Sequence, residues 1–133
     1  MNNELNLKNK NYLLHQTEIG TLYLFENYVI TNFREGVDIN YANFYETGLV
    51  IRNHFIDKPF GYIANRQNSY SINLNDVTIF NKAFPNLKAY AIVTYHTLTE
   101  KVFEIENHFF TSNIKAFKTI NDAIDWVEDI LKI

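Results

Sequence analysis

After a polar opening, residues 11–33 run in short strand-like stretches rich in apolar and aromatic side chains. Residues 11–18 and 21–26 predict two strands, with Gly20-Thr21 near the turn between them. In the second, Leu22 and Leu24 alternate with Tyr23 and Phe25, so both of its faces are largely apolar. Tyr28 to Phe33 predicts a third strand, set off by Glu26-Asn27 as a hairpin turn. Consecutive strands joined by short turns pair antiparallel. The period then changes. Tyr41, Phe44, Tyr45, Gly48, Leu49 and Phe55 fall at helical spacing behind Asn40, a suitable N-cap. Val50 and Ile51 lie off that stripe and are expected to meet a second surface, such as another subunit. Lys58-Pro59 ends the helix, because proline disfavours helical geometry in the residue before it.

Phe60 to Ala64 predicts a short apolar strand, and the polar run Asn65-Arg66-Gln67-Asn68-Ser69-Tyr70-Ser71 leaves it. A second helix is expected next, with Asn73 as cap, Asp76 in the first turn, Ile72 stapled to Val77, and Leu74, Val77, Phe80 and Phe84 buried. Leu87 to Tyr95 is the most strand-like segment, and its continuous apolar run suits a central strand covered on both faces. Thr97 to Glu100 reads as a capping box opening a third helix, with Leu98, Val102, Ile105 and Phe109 on one face. Ile114 to Phe117 predicts a last strand. A second capping box, Thr119 to Asp122, opens a final helix that buries Ile120, Ala123, Val127 and Ile130 or Leu131, with Trp126 at the margin. The order β-β-β-α-β-α-β-α-β-α implies right-handed crossovers and parallel strands in the second half. The fold class is α/β: a mixed sheet with antiparallel N-terminal strands and four helices.

Composition narrows the picture. The 133 residues suit one domain, 1–133, with polar residues 1–10 loosely held. A chain of this size buries roughly two-thirds of its unfolded surface, so it needs no staple. Cysteine is absent, which excludes disulfides, thiolate zinc sites and cysteine nucleophiles. No apolar run approaches the ~20 residues of a membrane span, and no signal-peptide core opens the chain. A cytoplasmic location is expected. The formal charge is −3, with basic side chains scattered, so nucleic acid is not an expected partner.

The candidate chemistry is thin. No dinucleotide fingerprint, phosphate loop or nucleophile elbow occurs. The four histidines lack metal-ligand spacing, so no metal and no cofactor are expected. The polar run stands out. It leaves a strand where open α/β sheets hold ligands and leads towards a helix N-terminus, which favours anions. Asn65, Arg66, Asn68, Ser69, Tyr70 and Ser71 are therefore candidate ligand- or partner-binding residues. His96, just past the Ala89–Tyr95 segment, joins them if the two strands are parallel neighbours. The same asparagines and serines also suit plain loop closure and helix capping.

Several segments together resemble the SpoIIAA-like, STAS/SEC14-type small proteins of bacteria. They are Gly20-Thr21-Leu22-Tyr23-Leu24-Phe25, Lys58-Pro59-Phe60-Gly61-Tyr62-Ile63, Asn65-Arg66 with Ser69-Tyr70-Ser71, and Ala116-Phe117 through Asp122-Ala123-Ile124-Asp125-Trp126. The resemblance spans most of residues 11–133. It implies a mixed sheet with helices wound along it, and a protein-binding role switched by phosphorylation in a loop between strand and helix. The corresponding loop here holds Asn68-Ser69-Tyr70-Ser71, with Asn where the family has Asp and no following Gly. Ser69 and Ser71 are then the expected phosphorylation positions. The expected function is a non-catalytic regulatory or protein-interaction module, paired with a protein partner or with itself. A binder of a small anionic or lipid ligand at the C-terminal edge of the sheet is the alternative.

Overall fold

The structure is a computed structural model, and it describes residues 5–96 and 113–133. Six strands form one sheet in the order β1-β2-β3-β5-β7-β8: Leu13–Thr17, Gly20–Leu24, Tyr28–Phe33, Phe60–Arg66, Leu87–Thr94 and Asn113–Phe117. The first three pair antiparallel through tight turns. From β3 onward each pairing is parallel. A separate two-stranded sheet joins β4 (Asp38–Ile39) to β6 (Ser71–Ile72), also parallel. The sequence pattern does not announce this pair, because each strand is only two residues long.

Helices α1 (Tyr41–Phe55) and α2 (Val77–Ala83) cover one face of the sheet, and α3 (Ile120–Leu131) packs on the other. The third of the four expected helices, from Thr97, lies outside the described residues. Asn40 caps α1 as expected. Its side chain accepts from the Asn43 amide while the Asn43 side chain accepts from the Asn40 amide, both at 2.9 Å. Asp76 does not serve its own helix. Its carboxylate accepts from Tyr41 N–H at 2.8 Å, placing negative charge at the start of α1. Asn73 caps a 3-10 turn, Leu74–Asp76, that runs into α2. Residues 5–10 are better held than their polarity suggests: Leu7 is buried, and Leu5 N–H donates to the Tyr23 hydroxyl.

The buried face of α1 differs from the expected one. Thr47, Ile51 and Phe55 are buried, Phe44 and Val50 half-buried, whereas Tyr41, Tyr45 and Leu49 face outward. Ile51 therefore serves the core and not a second subunit. Two interleaved helical stripes compete on this helix. The one that docks carries Thr47, whose hydroxyl donates to Thr17 Oγ1 at 3.1 Å, and this polar member hides the stripe from an apolar count.

The two faces of the sheet are built from different side chains. Ile63, Ala89, Ala91 and Val93 present small or branched groups to Ala123 and Val127 of α3. A Cβ on Gly61 would collide with the Val127 side chain, so the missing side chain sets how closely α3 sits on β5. The opposite face presents Phe33, Phe60, Tyr62 and Tyr90 to Phe44, Phe55, Phe80 and Phe84 of the helices and the turn after α2.

Candidate functional site

Strand β5 runs two residues further than expected, so Asn65 and Arg66 are its last residues and both are buried. Strand alternation sends them to opposite faces. Asn65 points to the α3 side, where its Oδ1 accepts from the Tyr95 hydroxyl at 2.6 Å. Arg66 points to the α1/α2 side and is only 2% exposed. Its guanidinium donates to the Tyr70 carbonyl at 2.6 Å and lies 4.3 Å from the centre of the Tyr70 ring. These two residues therefore do not converge on one ligand. Strands β5 and β7 are parallel neighbours, with Arg66 opposite Thr94, so His96 shares their rim, exposed to solvent.

The rest of the polar run is stitched to the segment after β3. Asn68 Nδ2 donates to the Phe33 carbonyl at 2.9 Å, and Ser69 N–H donates to the Glu35 carboxylate at 3.0 Å. Gly36 N–H donates to the Ser69 carbonyl, and Ser71 N–H to the Val37 carbonyl. The Ser71 hydroxyl donates to Asp38 Oδ1 at 2.7 Å. Ser69 and Ser71 are exposed, and Tyr70 between them is buried. The run does not open directly into a helix N-terminus: β6 and the 3-10 turn intervene, and the Asn73 side chain already accepts from Asn75 N–H.

Beneath this stitched segment lies an apolar cavity of about 50 Å³, walled by Phe33, Phe44, Tyr62, Tyr70, Phe80 and Tyr90 among others. Ile39 of β4 and Ile72 of β6 complete its lining. Burial pushes the Tyr62 hydroxyl pKa well up, and the nearby Tyr70 adds to the shift, while Thr31 and the Arg66 charge oppose it. Tyr62 stays a neutral phenol at any physiological pH. On the α3 face, burial and the Glu128 carboxylate push Tyr28 up to about 12, against a smaller downward pull from Asn9.

Two surface features were not legible in the sequence. The first is a groove between α1 and α2, lined by Tyr41, Tyr45, Gly48, Leu49, Arg52 and Ile79 among others. The second is a polar cup of about 280 Å³ at the C-terminal rim of β3 and β5, lined by Gln16, Thr21, Asn32, Arg34, Gln67 and Asn68 together with Thr17 and Gly20. A usable signal for the cup exists. Asn32 is the one amide inside the strand Tyr28–Phe33, and Thr21 and then Gln16 follow it in register on the neighbouring strands. Among the described residues no group of three acidic or histidine side chains is placed to hold a metal ion. No helix among them is long and apolar enough to cross a membrane.

No family model and no curated protein matches this sequence. Comparison with solved structures finds an uncharacterised protein of the DUF3478 family from Shewanella loihica PV-4, whose crystal structure has a SpoIIAA-like fold. The match covers 93% of this chain and 98% of that one, with a TM-score of 0.55 and 14% identity. The strand order, the parallel crossovers and this likeness define the class: the chain is an α/β domain with a SpoIIAA-like fold. The resemblance read from the sequence thus holds at the level of fold.

Proposed function

We propose that the protein is a non-catalytic interaction module of the cytoplasm that receives an amphipathic helix of a partner protein between α1 and α2. One observation carries this reading. Tyr41, Tyr45, Leu49 and Ile79 are 50%, 56%, 39% and 42% exposed, and all four line the same groove. Scattered apolar side chains on a surface need no explanation, but a contiguous set does. Tyrosine and arginine supply much of the binding energy at protein interfaces, and Arg52 stands at this groove beside the two tyrosines. The spacing of Tyr41, Tyr45 and Leu49 builds one i, i+4 ridge, and Gly48 lowers the surface beside it. A ridge next to a shallow channel is the shape that accepts a second helix.

The stitched segment supplies a means of control. A phosphate on Ser71 would bring about −1.5 to −2 charge against the Asp38 carboxylate, where the hydroxyl now donates. Like charges there favour separation of β4 from β6. Ser69 is the second position, with the Glu35 carboxylate held at its backbone N–H.

The test is photocrosslinking in the native cell from positions 45 and 49, with position 115 on β8 as control. The expected result is one shared adduct at 45 and 49, absent at 115, and weakened by Ser71→Asp. Adducts of equal yield from all three positions, or none from 45 and 49, would remove the groove as the docking face. An adduct with the mass of a second copy would identify the partner as the chain itself.

A further inference from the structure

We propose that the polar cup on the α3 side of the rim binds a small hydroxylated anion, a compound carrying both a hydroxyl group and one carboxylate or phosphate. The cup is separate from the α1/α2 groove, so failure of either reading leaves the other standing.

The argument begins with register. Gln16 of β1 pairs with Thr21 of β2, and Thr21 pairs with Asn32 of β3, so the three side chains stand side by side on one face. Asn65 of β5 follows Ala64, the partner of Thr31, and so continues the row next to Asn32. On the same face, two residues away along the strands, the side chains are Tyr23, Ile30 and Ile63, all buried in the core against which α3 packs. Gln16 is exposed at the outer end of this row and Thr21 half-buried, so the cost of burying polar atoms falls on its inner amides, Asn32 and Asn65.

The row is incompletely satisfied. The Thr21 hydroxyl donates to Gln16 Oε1 at 2.9 Å, which uses one member on another. Among the described residues, Asn32 Oδ1 at the cup is buried and accepts no hydrogen bond, and Asn65 Nδ2, further along the row and outside the cup's lining, is buried and donates none. Native proteins rarely leave such atoms unpaired, and the exceptions call for an explanation such as an absent ligand. An unused carbonyl oxygen demands a donor, and a turn of the Asn32 side chain towards the cup would offer it to a ligand hydroxyl.

The other half of the specificity comes from Arg34. Its Nε donates to the Glu18 carbonyl at 2.7 Å, which fixes the guanidinium at the cup. Its terminal nitrogens make no hydrogen bond among the described residues and are free to hold an anionic oxygen in the paired geometry that guanidinium favours. No carboxylate lines the cup. Asn68 is held in place by its bond to the Phe33 carbonyl, so the wall is already ordered before anything binds. A volume of about 280 Å³ falls just below the roughly 300 Å³ at which pockets for drug-sized molecules begin. That size suits a compound of a few carbons.

The experiment is a titration of the isotope-labelled full chain followed by amide chemical shifts. The probes are D-glycerate and D-glycerol 3-phosphate, with glycerol as the hydroxyl-only arm and inorganic phosphate as the anion-only arm. The expected result is saturable movement confined to the amides of residues 16–21, 32–34, 67 and 68. One of the two bifunctional probes should bind at least about tenfold more tightly than either single-function probe. Which of the two does so decides between carboxylate and phosphate. Arg34→Ala, an exposed change, should weaken that binding by about tenfold and leave the remaining spectrum in place. Thr21→Val is the second variant and should weaken it without touching the charge. No movement at these amides up to about 20 mM, affinity no better than phosphate alone, or binding indifferent to both variants would overturn the proposal and leave the cup as a hydrated crevice.

Discussion

On its α3 side the sheet is faced with small side chains, and on its α1/α2 side with rings. Ala89, Ala91 and Gly61 let Ala123 and Val127 approach the strands closely, and no free volume is left between them for a methyl group at position 61. Across the sheet, Phe33, Tyr62 and Tyr90 meet Phe44 and Phe80, and these planar groups leave a void of about 50 Å³. Rings pack edge to face well in pairs, as Phe33 and Phe44 do at 87° and 6.4 Å. They cannot all be satisfied at once around a common point. One side of the sheet is thus a fitted joint, and the other retains slack next to the surface groove where contact is proposed.

The difference can be broken or sharpened by substitution. The largest expected effect is at the fitted joint. Gly61→Ala should lose about 2–3 kcal/mol, because the new methyl must push α3 off β5. Urea unfolding measures it, and a loss below about 0.5 kcal/mol would show that the joint has slack of its own.

Alkaline pH probes both sides together. Tyr28 and Tyr62 have pKa values raised in the folded protein, so the folded chain keeps protons that the unfolded chain releases above pH ~10. Their contribution is complete below that pH and declines as pH rises through the folded value, about 12 for Tyr28. The expected loss from Tyr28 is on the order of 1–2 kcal/mol. Tyr28→Phe should flatten the decline seen in denaturant midpoints above pH ~10, and an unchanged slope would assign the decline to Tyr62 or elsewhere.

Asn32→Val should raise stability by about 1 kcal/mol, since it removes a buried acceptor that lacks a donor and favours the strand. A loss of stability would mean that the amide already holds a bond worth keeping. The smallest effect belongs to the side with slack. Gly48→Ala, whose Cβ would rest 3.4 Å from the Phe44 ring, should gain about 0.5–1 kcal/mol in thermal unfolding. It should also weaken partner crosslinking by filling the channel.

Much of this architecture is legible in the chain. The six strands of the main sheet, the N-caps Asn40 and Thr119, and the parallel second half all follow from period and capping chemistry. What could not be read was which way each residue faces. On α1 two helical stripes were available, and the one that docks with Ile51 and Phe55 was masked by a polar member, Thr47, which pairs with Thr17 thirty residues away. At the rim, Asn65 and Arg66 are adjacent in sequence and read as one cluster, yet the strand extends through them and splits them between faces. The cup, conversely, gathers Gln16, Thr21, Asn32 and Gln67 from four separate stretches. Only register brings them together.

The two-residue pairing of β4 with β6 has a kinetic corollary. It joins segments more than thirty residues apart, across a loop that contains all of α1 and β5, so its closure entropy is repaid only once those elements are in place. It should therefore form late in refolding and be among the first parts to let go. Solvent deuterium should reach the amides of Ser71 and Asn73, bonded to Val37 and Ile39, while those of β5 stay protected. Such brief local release would give the space behind Ile39 and Ile72 a door to the solvent while the six-stranded frame stays in place.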